Sequence, residues 1–375
     1  MSAEPVRVTG EVTGQRPDAA RVRRALVTGG GGFLGRGLVL RLLERGVEVT
    51  SLARGAYPEL EARGARVLRG DLGERDVARR AAEGQELIFH VAALAGVWGP
   101  RAAYERANVL GTEHMLDAAC EHGARVFVHT SSPSVVFDGE SHHNAGQDLP
   151  YPTRFLAHYP ETKARAEALV LARHGQPTAR GHALATVALR PHLIFGPGDP
   201  HLVPRLLERA DRGHLRIVGD GRNLVSLTYV DNAVEAHLAA ADTLLSGPAL
   251  GRSDGPGGKA YFVANEEPVR LWGWINSLLE ATGRPPVTRR VPAGVAYAAG
   301  AVLEPLHRLL RRAGEPRMTR FVARQLSTTH TYDLEPLKRD TGYRERVPMA
   351  EAVRRTLAAM APPDTAPLAP ARNSS

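Results

Sequence analysis

Short apolar runs alternate with stretches of helical period through the first half of the chain. Residues 25–28 (Ala-Leu-Val-Thr) form one such run, and in residues 33–45 the apolar Leu34, Val39, Leu40 and Leu43 recur at helical spacing. Further strand-like runs cover residues 47–52, 66–68, 86–91, 125–130 and 185–190. Helical patterns fill the gaps, including 104–120 and 159–173. Regular βα alternation of this kind predicts an α/β fold with a doubly wound parallel sheet, covered by helices on both faces.

Past residue 196 the regularity falls and Gly and Pro punctuate short elements. The pattern predicts a sheet domain over 23–195 and a smaller C-terminal lobe over 196–360 that shapes a substrate pocket. Some elements of the lobe, such as 226–229, are expected to return to the sheet. Residues 1–22 are polar without periodicity and read as a flexible extension. Residues 361–375, rich in Pro, Ala and Ser, read as a frayed tail. No internal repeat is present.

Composition narrows the function classes. The 375 residues, 43% hydrophobic and 23% charged, are ordinary for a globular protein. The net charge of +8 reflects scattered basic residues, with no zinc-finger spacing and no basic helix leading into heptads, so no nucleic-acid partner is expected. The single cysteine, Cys120, rules out a disulfide within the chain and fits a reducing, cytoplasmic setting. It lies in an apolar helical stretch and reads as a core residue. No His/Cys cluster has metal-ligand spacing, and His142-His143 reads as solvated, so no metal is expected. The N-terminus lacks the apolar segment of a signal peptide, and no run reaches the roughly 18 apolar residues of a membrane span.

The chemistry begins at Thr28-Gly29-Gly30-Gly31-Gly32-Phe33-Leu34-Gly35, which follows the first strand and opens a helix. Gly29 permits a tight turn, Gly32 lets backbone approach a pyrophosphate, and Gly35 lets helix and sheet pack closely. The helix N-terminus adds free N–H groups for phosphate. This is a dinucleotide-binding, Rossmann-type turn. At the end of the second strand, where NAD enzymes carry an acidic residue, the chain reads Ala53-Arg54. A guanidinium can grip a 2′-phosphate bidentately, which predicts NADP(H). Asp71 is placed to meet the adenine, with a helix N-cap as its competing role. Ala92 and Ala93 leave room for the middle of the cofactor.

Tyr159 and Lys163 stand four apart in a helical pattern, so they share a face. A free phenol titrates near 10, and a nearby ammonium would favour its phenolate. The pair follows a strand that ends His129-Thr130-Ser131-Ser132, where a serine can hydrogen-bond a substrate carbonyl.

These residues resemble the extended short-chain dehydrogenase/reductase superfamily over about residues 24–357. By that resemblance Ser132 is the catalytic serine, with Ser131 its rival. Tyr159 is the acid/base and Lys163 the cofactor-anchoring lysine. Asn108 orders the active-site helix and a proton-relay water. Phe33, Leu34, Leu72, Thr130 and Pro191 join the cofactor contacts. The runs Ser132-Pro133-Ser134-Val135-Val136-Phe137-Asp138-Gly139 and Leu189-Arg190-Pro191-His192-Leu193-Ile194-Phe195-Gly196-Pro197-Gly198 are similar to the 3β-hydroxysteroid dehydrogenase branch. Val218-Gly219-Asp220-Gly221-Arg222-Asn223-Leu224-Val225 carries the same similarity. Within that branch, Arg54-Gly55-Ala56-Tyr57-Pro58-Glu59-Leu60, Ala95-Gly96-Val97-Trp98-Gly99 and Gly314-Glu315-Pro316-Arg317-Met318-Thr319-Arg320-Phe321 are most similar to bacterial 2-alkyl-3-oxoalkanoate reductases of long-chain olefin synthesis.

The resemblance implies NADPH-dependent reduction of the ketone of a lipid-like β-keto acid. A sterol-4-carboxylate 3-dehydrogenase is the alternative, and a nucleotide-sugar epimerase or dehydratase with retained NAD is a second. His192 and Arg205 are the candidates to receive the substrate carboxylate. Implied partners are a fatty-acyl condensing thiolase, a β-lactone synthetase and a β-lactone decarboxylase; a homodimer is left open. Residues 291–312 read as an amphipathic helix, either packing in the lobe, capping an acyl-chain tunnel or resting peripherally on the inner face of a membrane.

Overall fold

The computed structural model describes residues 22–247, 255–310, 312 and 314–360. The extension and tail read from the sequence lie outside these residues, apart from Val22, which is buried in the main core.

The strands in chain order are β1 (Arg24–Thr28), β2 (Glu48–Ala53), β3 (Arg66–Arg69), β4 (Leu87–His90), β5 (Val126–Thr130), β6 (His142–Ala145), β7 (Ala185–Pro191), β8 (Ile194–Phe195), β9 (Ile217–Val218), β10 (Leu224–Val225), β11 (Thr228–Tyr229), β12 (Ala260–Val263), β13 (Val269–Arg270), β14 (Arg290–Val291) and β15 (His330–Tyr332). The helices are α1 (Phe33–Glu44), α2 (Pro58–Glu61), α3 (Arg75–Ala82), α4 (Arg101–Tyr104), α5 (Gly111–His122), α6 (His158–Ala172), α7 (Leu202–Asp211), α8 (Val230–Ser246), α9 (Leu271–Ala281), α10 (Ala293–Leu309), α11 (Arg320–Ser327), α12 (Glu335–Thr341) and α13 (Met349–Ala358). A π-helical turn, Glu105–Leu110, joins α4 to α5.

Seven strands pair in parallel in the order β12-β7-β5-β4-β1-β2-β3. Alternate residues of each strand face opposite layers. Ala25 and Val27 pack with Leu38 and Leu42 of α1 and Val234 and Leu238 of α8. Leu26 joins Ile88 and Phe127 against Val77 of α3 and Met115 and Leu116 of α5. The central strands are buried on both faces, which is why β1, β4 and β7 read as near-continuous apolar runs. The winding order reverses between the parallel neighbours β1 and β4, so a crevice opens beyond their carboxyl ends.

The element that returns to the sheet is β12, not residues 226–229. Ala260, Tyr261, Phe262 and Val263 are all buried and suit the place beside β7. β11 pairs instead with β8. There Thr228 Oγ1 donates to the carbonyls of His192 (2.7 Å) and Val263 (2.9 Å), a bracing role that a polar residue can fill. A second core surrounds Phe195, Val218, Val225 and, on α9, Trp272, Trp274, Ile275 and Leu278.

The α10 helix is turned against the usual rule. Its buried line is Ala296, Gly300 and Glu304. Gly300 lies so close to the Thr319–Arg320 backbone that a Cβ would meet Arg320 N at 2.5 Å. Glu304 accepts the Arg320 N–H (2.7 Å) and two guanidinium bonds. The outer face carries exposed Val295, Val302, Leu306 and Leu309.

Candidate active site

A cavity of about 1170 Å³ runs from the end of β1 to α7 and α11. Its floor is the glycine-rich turn. Gly29 has φ +69°, and a Cβ there would press on the Ala92 backbone at 3.0 Å. A Cβ on Gly35 would meet Gly29 O at 2.2 Å, so the first turn of α1 packs directly on the loop. Gly32 precedes α1 without a side-chain cap, and no acidic residue stands in the first turn. That N-terminus is therefore open to an anion. Thr28 Oγ1 accepts the N–H of Val91 and of Ala92, both at 3.1 Å, and holds the turn against the end of β4. The cradle, the open helix end and the cavity fit a dinucleotide.

The sequence-predicted cofactor residues come together here. Gly29, Gly32, Phe33, Leu34 and Gly35 line the cavity from α1, and Arg54 from the end of β2. Asp71 and Leu72 follow β3, Ala92 and Ala93 follow β4, and Thr130 and Pro191 line it from the ends of β5 and β7. Arg54 is exposed and has no acidic partner among the described residues. Asp71 does not cap a helix. It accepts the Gly73 N–H (2.8 Å) and pairs with Arg106 at 3.4 Å.

Tyr159 sits in the first turn of α6 and Lys163 one turn on. Lys163 Nζ donates to the Thr130 carbonyl (2.6 Å) and to His129 Nε2 (3.1 Å). Burial lowers its pKa to about 7, opposed by the charge of Glu167. Glu167 is itself gripped by Arg190 at 2.7 and 3.0 Å and by the Tyr151 hydroxyl at 2.8 Å. The phenol of Tyr159 is pushed up by burial, and its hydrogen bond with Ser132 works the other way. Two of the Lys163 donors go to His129 and Thr130.

Ser132 also takes hydrogen bonds from the Ser134 N–H (3.3 Å) and hydroxyl (3.0 Å). The Ser131 hydroxyl is buried without a partner. Contact with the phenol favours Ser132. Asn108 is not in the cavity wall. From the π-helical turn its Oδ1 accepts the Leu94 N–H (2.7 Å), and its Nδ2 donates to the Leu94 carbonyl (3.2 Å) and Thr162 Oγ1 (3.1 Å). It ties the loop after β4 to α6 and so sets the position of Tyr159.

The two carboxylate candidates, His192 and Arg205, both line the cavity. Burial lowers His192 to about 4, so it is neutral near pH 7. Its Nδ1 lies 2.6 Å from the Ser226 carbonyl and must carry the proton, which leaves Nε2 as an acceptor. Arg205 lines the cavity but is paired with Glu315 at 3.0 Å. The sequence reading missed Arg209, one turn further along α7, which lines the same wall and has no acidic partner among the described residues. The spacing of Leu202, Arg205, Leu206 and Arg209 was the available signal: positions i, i+3, i+4 and i+7 share a helix face. Leu193, also in the wall, has φ +44°, an unfavourable conformation for a non-glycine residue.

His142 is buried in β6 against Phe137 and Tyr332 rather than solvated, because β6 pairs with β15. Cys120 is only partly buried, at the edge of its core cluster. No residue of α10 lines this cavity, and His307 and Arg308 of that helix pack on Trp98 beside it. Among the described residues no metal-binding cluster occurs, and no helix is long and apolar enough to cross a membrane.

A glycine-rich dinucleotide cradle opening onto a Ser–Tyr–Lys constellation, on this strand order, defines an NAD(P)-dependent oxidoreductase of the extended short-chain dehydrogenase/reductase class. Solved structures agree on the fold: MoeE5 in complex with UDP-glucose and NAD superposes with a TM-score of 0.66 at 27% identity, over 90% of this chain and 98% of that one. The chain belongs to the 3-beta hydroxysteroid dehydrogenase/isomerase family, whose profile matches residues 26–291. It is 45% identical to a 2-alkyl-3-oxoalkanoate reductase of Shewanella oneidensis, covering 91% of this chain and 87% of the relative. A protein of the same name from Stenotrophomonas maltophilia is 46% identical, covering 90% and 99%. A sterol-4-alpha-carboxylate 3-dehydrogenase, decarboxylating, of Mus musculus is 34% identical, covering 93% and 94%.

Proposed function

We propose that this protein uses NADPH to reduce the 3-keto group of a long-chain 2-alkyl-3-oxoalkanoic acid to the 2-alkyl-3-hydroxy acid. The observation that carries the reading is one continuous cavity with an unpaired guanidinium at each end and Tyr159, Ser132 and Lys163 between. Arg54, beside Ala53 instead of an acid, favours a cofactor with a 2′-phosphate. The Gly29–Gly35 cradle would hold the pyrophosphate, and Lys163 the nicotinamide ribose. When bound, NADPH supplies the hydride.

The chain's own groups then do the rest. Ser132 donates a hydrogen bond to the ketone oxygen and polarises it. Tyr159, kept protonated by its surroundings, gives that oxygen a proton. Arg209 offers a cation to the carboxylate, and Leu202, Leu206 and Phe321 offer apolar wall to the chains. The names of the bacterial relatives support the substrate class. On this reading a condensing thiolase supplies the β-keto acid, and a β-lactone synthetase and decarboxylase consume the product.

The outward apolar face of α10, ending near Arg308 and Arg312, suits peripheral contact with an anionic membrane surface.

NADPH oxidation with a long-chain 2-alkyl-3-keto acid, run beside NAD reduction with a 4-carboxysterol, tests the assignment. The first reaction should exceed the second by at least about tenfold in kcat/KM, a margin of 1.4 kcal/mol in transition-state binding. Preference for the sterol with NAD would overturn it.

A further inference from the structure

Tyr57 lies between the end of β2 and the glycine-rich turn and was assigned no role from sequence. Its ring rests on Gly31: a Cβ built there would meet Tyr57 Cζ at 2.0 Å, so only glycine fits under it. Its other edge reaches Gly55, where a Cβ would stand 3.2 Å from the Tyr57 hydroxyl. The hydroxyl is thus placed beside the backbone that follows Arg54. Among the described residues it has no hydrogen-bond partner, and neither has the Arg54 guanidinium. The N–H groups of Gly30 and Gly31 take no part in the backbone bonds of the turn, which run from Gly29 and Gly32. Arg54, Gly55 and Tyr57 all line the cavity. The corner therefore gathers a cation and a phenol donor, while the position that would hold a ribose-binding acid is Ala53.

We propose that Tyr57 determines cofactor specificity: its hydroxyl donates to the 2′-phosphate that Arg54 pairs with, and its ring, seated on Gly31, fixes that donor in place. This rests on the NADP(H) reading above. An aromatic cover that only shields the turn would serve both cofactors alike, whereas a donor to the 2′-phosphate serves one.

Calorimetric binding of 2′,5′-ADP, which carries the extra phosphate, and of 5′-AMP, which lacks it, separates these roles without relying on turnover. Tyr57→Phe keeps the ring and removes only the hydroxyl. It should weaken 2′,5′-ADP by roughly tenfold, as expected for loss of a hydrogen bond to a charged group, and leave 5′-AMP within about twofold. Equal weakening of both ligands, or no change in either, overturns the role of Tyr57. Arg54→Ala tests the underlying reading. If it abolishes the preference for 2′,5′-ADP while Tyr57→Phe retains it, the inference about Tyr57 alone fails. If the wild-type protein binds 5′-AMP as tightly as 2′,5′-ADP, the NADP(H) reading fails, and the Tyr57 role with it.

Discussion

Lys163 Nζ stands 3.1 Å from Nε2 of His129, deep under the catalytic helix. The His129 ring stacks on His90 at 5.4 Å between centroids. His90 bridges Thr28 Oγ1 (3.0 Å) and Thr112 Oγ1 (2.9 Å). A buried line of side chains thus runs from the glycine-rich turn to the lysine. Burial, with Lys163 as the next cause, holds His129 well below its ordinary pKa, so its neutral ring accepts from the ammonium. His129→Phe deletes that acceptor. Loss of a hydrogen bond to a buried charge, about 1.5–3 kcal/mol, should lower kcat/KM by roughly tenfold or more. Because the lost bond favoured the charged form, the pH profile of kcat/KM should also move its lysine limb below about 7. An unmoved limb would make His129 a packing residue only.

The buried lysine should be legible in stability as well. Unfolded, it titrates near 10.4; folded, at about 7. Between those values the unfolded chain holds the extra proton, so stability rises with pH across the window, and the penalty is complete below it. Lys163→Met should therefore raise Tm most near pH 6, and the gain should fade toward pH 10 as reductase activity stays lost. A gain independent of pH would contradict this.

The carboxylate assignment separates two neighbouring arginines. Arg205 is already neutralised by Glu315, and Arg209 is not. Arg209→Met should raise KM for the acid by roughly tenfold and leave the methyl ester almost unchanged, since only the acid carries the charge. Arg205→Met should move both by less than about threefold. The reverse ranking would transfer the role to Arg205.

Much of this was written in the sequence because local constraints demanded it. Gly29 and Gly35 are required by a positive φ and by contact with the Gly29 carbonyl, so the turn announces itself. Tyr159 and Lys163 share a helix face, and four-residue spacing reports that directly. What escaped depends on partners far along the chain. That Arg205 is neutralised rests on Glu315, 110 positions away. The tautomer of His192 rests on the Ser226 carbonyl, 34 positions away. The place beside β7 went to β12 over 226–229, a choice made by sheet packing and not by local pattern. The place of Tyr57 depends on the fold, which lays its ring on Gly31, 26 positions earlier.

The inverted α10 helix makes a prediction of its own. Val302 and Leu309 are 65% and 79% exposed. Replacing both by Glu should leave the fold intact, because neither packs inward. It should abolish co-sedimentation with vesicles containing anionic lipid. Each buried apolar side chain of this kind contributes about 1.5–3 kcal/mol, and the added negative charges repel the surface. Equal sedimentation of variant and wild type would remove the membrane role.

The central claim is hydride transfer to C3 of a β-keto acid with Tyr159 as proton donor. It is tested most directly with NADPH deuterated at C4, in separate reactions with each stereospecific label, and mass spectrometry of the product. The account predicts one deuterium at C3 of an intact 2-alkyl-3-hydroxy acid from one of the two labels. Tyr159→Phe should lower the rate by about 10²–10⁴ while NADPH binding is preserved. A product without deuterium at C3, or undiminished turnover in Tyr159→Phe, would contradict it.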